Sequence, residues 1–342
     1  MGKKTSVLLI YTGGTIGMIQ DNRTGQLRPF DFAHLYEQIP ELHKFDLKLC
    51  SEAFENPIDS SDMNPGVWVC IARIIEKNYS KYDGFVILHG SDTMAFTASA
   101  LSFMLENLDK PVILTGSQLP IGIIRTDGKE NLITAIEIAA AKEKGKAIIQ
   151  EVCIYFEYRL YRGNRTHKFN SEHFQAFQSS NYPELAEAGV HLTYNYDRLY
   201  RPAGRKLKVH TSLNPNIAIL KLYPGITPAA VDAVLNTKGI KAVILETFGS
   251  GNCSTAEWFI EALGKARKKG LIILNITQCN AGSVEQGKYQ ASAGLDKIGV
   301  LNGKDMTTEA AVAKLMFVLG NTDNRKERQK MLNTSLRGEL TR

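Results

Sequence analysis

Two short stretches of the chain each set a hydroxyl residue just beyond an aliphatic run. The run Val7–Ile10 leads into Thr12-Gly13-Gly14-Thr15-Ile16-Gly17, which places Thr15 at the tip of a glycine-framed turn. Glycines there let the backbone turn tightly and let a ligand approach it closely. The run Phe85–Leu88 leads into His89-Gly90-Ser91-Asp92-Thr93, which repeats the layout with Ser91 and adds the carboxylate of Asp92. An aliphatic alcohol is a poor nucleophile until a neighbouring group takes its proton. The polar stretch Arg162-Gly163-Asn164-Arg165-Thr166-His167-Lys168, directly after a fifth aliphatic run, is the expected source of that base or of a tuning ammonium, at the same sheet edge. A glycine-rich turn after a first strand also suggests dinucleotide binding, but this one fits neither G-x-G-x-x-G nor the lysine-containing phosphate loop.

Elements must hold these loops against one another. Strand-length apolar runs occur at Val7–Tyr11, Phe45–Cys50, Phe85–His89, Pro111–Thr115, Val152–Phe156, Ile217–Leu222, Ala242–Glu246 and Leu271–Thr277. Between them lie segments of helical period: Val67–Tyr79, Thr97–Leu108, Glu130–Ala141, Ala229–Asn236 and Trp258–Lys268, the last preceded by the capping-box pattern Ser254-Thr255-Ala256-Glu257. The alternation predicts an α/β protein: a larger N-terminal domain with a mostly parallel sheet and flanking helices, and a smaller C-terminal parallel α/β domain. The stretch 198–216, with RPAGRK and SLNPN, lacks a sustained period, so the expected division is 1–197, a linker 198–216, and 217–342. Both hydroxyl loops fall in the first domain and face a crevice at the carboxyl edge of its sheet.

Composition narrows the function. The 342 residues are 44% hydrophobic and 22% charged with a net charge of +6, too modest for a nucleic-acid stripe. The basic run Asn324–Arg328 reads as the solvated face of a late helix. Five widely spaced cysteines fit buried thiols in a reducing compartment rather than a disulfide framework or a zinc site. The N-terminal apolar run is too short for a signal peptide and no window nears the ~20 apolar residues of a membrane span. A cytoplasmic protein without membrane association is expected. The histidines have no metal-like spacing, His89 reads as a hydrogen-bonded core residue, and Trp68 and Trp258 read as packing. No metal or organic cofactor is expected.

The phrases YTGGTIGM, DSSDM (Asp59–Met63), HGSDTMA, TGSQ, RLYRGNRTHK, TQC and LRGEL, in this order along the chain, resemble those of type I bacterial L-asparaginases, the cytoplasmic branch of the asparaginase/glutaminase superfamily. The resemblance covers essentially the whole chain. It implies that Thr15 attacks the side-chain amide carbon of L-asparagine, releasing ammonia and leaving a β-aspartyl ester that water hydrolyses. It implies that Ser91, Asp92 and Lys168 form a second catalytic group. One departure is Ser91, where the family usually has threonine; the oxygen is kept and the β-branch that fixes χ1 is lost. The resemblance assigns Asp59, Ser60 and Ser61 to the substrate carboxylate and Asp92 to its amine. Tyr289 matches a tyrosine that reaches the nucleophile in some relatives. Asn252 and Tyr289 are candidates for completing a neighbouring subunit's site in a homodimer or homotetramer.

Type I relatives also imply an allosteric asparagine site, which here would involve Glu246, His167, Thr277, Gln278 and Cys279. Glu246 and His167 replace an arginine and a threonine of a regulated relative, and an acidic group there would repel an effector carboxylate. Little asparagine activation is therefore expected. The alternatives are a glutaminase-like enzyme, an ammonia-releasing subunit of a transfer-RNA amidotransferase, and a non-catalytic amino-acid sensor. The early first strand at Val7 counts against the amidotransferase subunit, and Thr15, Asp92 and Lys168 together count against the sensor.

Overall fold

A computed structural model describes residues 4–20, 27–29, 39–287 and 290–341. The chain divides into two compact units, Met1–Thr211 and Ser212–Arg342.

The first unit is built on β1 (Ser6–Tyr11), β2 (Lys48–Ala53), β3 (Gly84–Leu88), β4 (Val112–Thr115) and β5 (Val152–Phe156), parallel in the order β2-β1-β3-β4-β5. Every residue of β1, β3, β4 and β5 is buried, as strands covered on both faces must be, and all four carry the expected aliphatic runs. Between the strands lie α1 (Pro65–Asn78), α2 (Met94–Met104) and α3 (Gly128–Ala140). Asn64 starts α1 by accepting hydrogen bonds from the N–H groups of Gly66 and Val67, and Pro65 takes the first helical position, where its missing donor costs nothing. Trp68, Ile71, Ala72 and Ile75 then form its buried stripe. From β1 the chain steps to β2 on one side and to β3 on the other. The sheet therefore has a topological switch point beyond the carboxyl ends of β1 and β3, where open α/β sheets form their ligand crevice.

Three expectations are corrected. The first concerns the route to Lys168. After β5 a hairpin through Glu157 and Tyr158, with φ 46° and 67°, sends β6 (Arg159–Arg162) back antiparallel, pairing Arg162 with Cys153 near the start of β5. β7 (Ala186–Ala188) and β8 (Leu192–Tyr194) extend the sheet in the same antiparallel manner. Gly163 thus lies at the opposite edge from the one expected, against α2, where a Cβ would sit 2.9 Å from that of Ala98. Residues 163–168 then run beside α2 back to the carboxyl edge. Second, β2 occupies Lys48–Ala53 rather than Phe45–Cys50, because Phe45 and Leu47 pack on the core from outside the strand. Third, the capping box expected before the helix that ends at Lys268 does not form.

The second unit orders β9 (Ile217–Lys221), β10 (Ala242–Thr247), β11 (Ile272–Thr277) and β12 (Leu301–Asn302) sequentially, all parallel. Its helices are α4 (Pro228–Leu235), α5 (Glu257–Lys268), α6 (Gln290–Lys297), α7 (Thr308–Asn321) and α8 (Arg325–Asn333). Val243, Leu245, Phe259, Leu263, Ile273 and Leu295 make its core. Glu257 is the first residue of α5, not the third that a capping box needs, and Ser254 instead accepts from the N–H of Ala256. The C-terminal tail is tied in by Lys314, whose Nζ donates to the carbonyls of Leu332 and Thr334 and pairs with the Glu339 carboxylate at 2.7 Å, both side chains fully buried. All five cysteines are free; Cys153 and Cys253 are buried, but Cys70 and Cys279 are exposed. No helix among the described residues is long and apolar enough to cross a membrane.

Candidate active site

Glycines let three loops meet backbone to backbone at the switch point. Gly13 and Gly14 take φ 137° and 90°, a region that favours glycine. A Cβ at Gly13 would fall 2.0 Å from the Ile58 carbonyl oxygen, one at Gly14 would fall 2.4 Å from the Gly90 nitrogen, and one at Gly90 would fall 2.5 Å from Ser60 Oγ. Thr12 Oγ1 donates to the Leu88 carbonyl at 2.9 Å, Ile58 N–H to the Thr12 carbonyl at 2.8 Å, and Thr93 Oγ1 to the Ser60 carbonyl at 2.7 Å. The turns bearing Thr15, Ser60 and Ser91 are thereby packed into one crevice. Thr15 opens a 3-10 turn to Gly17, half-buried, while Tyr11 beneath donates its hydroxyl to the Gly17 carbonyl. Burial pushes the Tyr11 phenol up to about 12, so it stays a donor.

Lys168 reaches this crevice. Its Nζ donates to Ser91 Oγ at 2.8 Å and to Asp92 Oδ1 at 2.6 Å. The lysine side chain is largely covered, 14% exposed, whereas Asp92 is 66% exposed and so open to a ligand. The arrangement can shift a proton onto or off the Ser91 oxygen and stabilise negative charge beside it. Ser91 Oγ also donates to Gln118 Oε1 at 3.3 Å. Gln118 carries no role in the sequence reading, although it closes the stretch TGSQ just past β4 at the same edge. It is held by its Nε2, which donates to the Ser171 and His173 carbonyls, and by Asp127, which accepts from the N–H groups of Gln118 and Leu119. Burial raises the Asp127 carboxyl, against the pull of those donors.

The other candidates lie as follows. Asp59 Oδ1 accepts from both the N–H and the hydroxyl of Ser61, at 2.8 and 2.7 Å, which holds its carboxyl below the usual range and fixes the exposed Ser61. Ser60 is buried against Gly90. His89 is a core residue: its Nδ1–H donates to the Gly90 carbonyl at 2.6 Å, and its Nε2 meets Thr97 Oγ1 at 2.8 Å. The Gly90 carbonyl can only accept, so Nδ1 carries the proton of the neutral ring and Nε2 accepts from the Thr97 hydroxyl, whose oxygen accepts in turn from Trp68 Nε1. Burial accordingly pushes the His89 pKa down to about 4. Tyr289 lies outside the described residues. Asn252 sits in the turn after β10, bridged to Phe248. Glu246, Thr277, Gln278 and Cys279 gather at the carboxyl edge of the second unit's sheet. Gln278 Nε2 donates to the Glu246 carbonyl, and Glu246 Oε1 accepts from Thr308 Oγ1 at 2.7 Å with Lys221 Nζ 3.6 Å from its other oxygen. His167 is in the first unit, paired with Gln178. Among the described residues no group of three or more His, Cys, Asp or Glu side chains is placed to hold a metal.

A two-unit α/β fold with a hydroxyl-bearing turn and a Ser-Asp-Lys cluster at its switch point defines a protein equipped for nucleophilic chemistry on a small ligand. The family model Asparaginase, N-terminal matches residues 6–200, and Glutaminase/Asparaginase C-terminal domain matches residues 216–332. The chain belongs to the asparaginase family. It is 43% identical over 347 residues to L-asparaginase 1 of Escherichia coli, covering 99% of both chains. It is 41% identical over 364 residues to a Mus musculus protein named 60 kDa lysophospholipase, covering all of this chain but only 63% of the mouse protein. Among solved structures, L-asparaginase I from Vibrio cholerae O1 superposes with a TM-score of 0.89 at 40% identity, covering 99% of this chain and 100% of that one.

Proposed function

We propose that this protein hydrolyses L-asparagine to L-aspartate and ammonia through a covalent ester on Thr15. The observation that carries the proposal is the contact of Lys168 Nζ with both Ser91 and Asp92, in a loop packed through Gly14 and Gly90 onto the turn of Thr15. Thr15 Oγ adds to the side-chain amide carbon, its proton passes to the amide nitrogen, the C–N bond breaks, and ammonia leaves. Water then adds to the ester carbon, and its proton passes through the Ser91 hydroxyl, which releases its own hydrogen towards the Thr15 oxygen as it takes one, while the Lys168 ammonium stabilises the negative charge that forms. The C–O bond to Thr15 breaks and the hydroxyl regains a hydrogen. Ser60 and Ser61, the latter oriented by Asp59, hold the substrate carboxylate, while the oxygen of Asp92 not turned to Lys168 takes the amine. Tyr289 assists Thr15 of its own chain or, together with Asn252, completes the site of a neighbouring copy in a homo-oligomer. The five free thiols suit a cytoplasmic setting. Glu246 keeps the allosteric region poorly suited to an effector carboxylate, so asparagine activates the enzyme little.

Ammonia release from L-asparagine and L-glutamine, each over a range of concentrations, tests this reading. The expected result is rapid, hyperbolic asparagine turnover, weaker glutamine turnover, and loss of both in Thr15→Ala. Undiminished turnover by that variant overturns the nucleophile. Sigmoidal asparagine curves that become hyperbolic on changing Glu246 overturn the allosteric claim.

A further inference from the structure

The second unit contains a cavity of about 200 Å³ lined by Arg267, Arg325, Arg328 and Gln329 over an apolar floor that includes Ile272 and Leu332. No carboxylate lines it. Arg267 comes from the last turn of α5 and its Nη1 is fixed by the Leu271 carbonyl at 2.7 Å, yet its Nε is buried without a hydrogen-bond partner among the described residues. An unsatisfied guanidinium nitrogen out of water is costly and asks for an acceptor. Burial and the facing Arg325 both push the Arg267 pKa down, the mark of two cations brought together without an intervening anion. The side chain of Arg325, at the start of α8, makes no hydrogen bond or ion pair with any described residue. Arg328 is held in place by Asp323 at 2.5 Å and by the Thr322 carbonyl at 2.6 Å. One exposed aspartate therefore offsets a single charge of the three.

We propose that this cavity is a binding site for one phosphate group. Size excludes a whole nucleotide or drug-like ligand, which needs roughly 300 Å³ or more. Three guanidiniums, each a fork of donors matched to tetrahedral oxyanions, favour a doubly charged group over chloride or a single carboxylate. Gln329 supplies a further amide donor, and the apolar floor excludes water from one side. The basic run Asn324–Arg328, which charge patterning reads only as a solvated face, supplies two of the three arginines.

The test is calorimetric titration of the full chain with inorganic phosphate and, separately, glucose 6-phosphate, at fixed ionic strength set with potassium gluconate. The expected result is saturable binding of one phosphate group per chain, weakened at least tenfold by Arg325→Glu, whose side chain has no structural partner to lose, and at least as much by Arg267→Met. Circular dichroism confirms folding of both variants. Binding of either phosphate source supports the site, and the tighter of the two tells whether a free ion or an esterified phosphate occupies it. Binding that vanishes when chloride replaces part of the salt, or that Arg325→Glu leaves within twofold, overturns it.

Discussion

Lys168 keeps its ammonium within hydrogen-bond reach of an alcohol and a carboxylate at once, so its loss removes both the charge that lowers the cost of an oxyanion and the partner of Asp92. Lys168→Met should lower kcat for asparagine by about 10²–10⁴-fold, the range for a lost proton-transfer group. Lys168→Arg should not restore it, because a planar fork does not replace a compact point charge. Steady-state kinetics on both variants checks this. His89 makes a different prediction. Its pKa is near 4 when folded, against an ordinary value near 6.5, so the unfolded chain binds the extra proton between those limits. The stability this residue contributes is complete above pH 6.5 and is lost as pH falls towards 4. Between pH 7 and 4.5 the wild type should lose about 2–3 kcal/mol more than His89→Gln in urea unfolding. Equal losses in the two proteins would show that His89 is not buried neutral.

At the scale of elements, the crevice depends on glycines at loop crossings rather than on side-chain packing. Gly14→Ala places a Cβ where Gly90 backbone stands and puts a side chain at φ 90°, so the Thr15 and Ser91 turns must separate. A fall in kcat/KM of at least tenfold is expected, with a smaller effect from alanine at Gly204, where a Cβ meets nothing within 4 Å. Kinetics and thermal melts of the pair separate crevice geometry from general backbone strain. The parallel core was legible because β1, β3, β4 and β5 are buried on both faces and must be continuously aliphatic. The short antiparallel strands were not. Arg159–Arg162 has two arginines in four residues, and its inward Arg162 is held by the Glu151 carboxylate at 2.6 Å and by the Arg198 carbonyl at 2.9 Å, contacts no local pattern reveals. Edge strand β2 mixes exposed and half-buried residues with none fully buried, so the apolar Phe45 and Leu47 beside it drew the expectation N-terminally. Of the candidate site, Thr15, Ser91, Asp92 and Lys168 were legible as residues, but the route that brings Lys168 to Ser91 and the place of Gln118 are tertiary facts.

Across the whole molecule, each unit carries its own core, and the second holds its C-terminal tail by a fully buried ion pair. Burial pushes the Lys314 pKa down, which Glu339 opposes. Removing one partner strands the other charge, so Lys314→Met should cost about 3–5 kcal/mol, read as a lower denaturant midpoint. A change within 1 kcal/mol would contradict the tail's role. Beneath both units lies the claim that Thr15 is acylated, and acid-quenched mass spectrometry of the enzyme during asparagine turnover tests it most directly. A β-aspartyl ester on the peptide that contains Thr15, absent from Thr15→Ala, is the predicted result. The same ester on the peptide containing Ser91 would contradict the account.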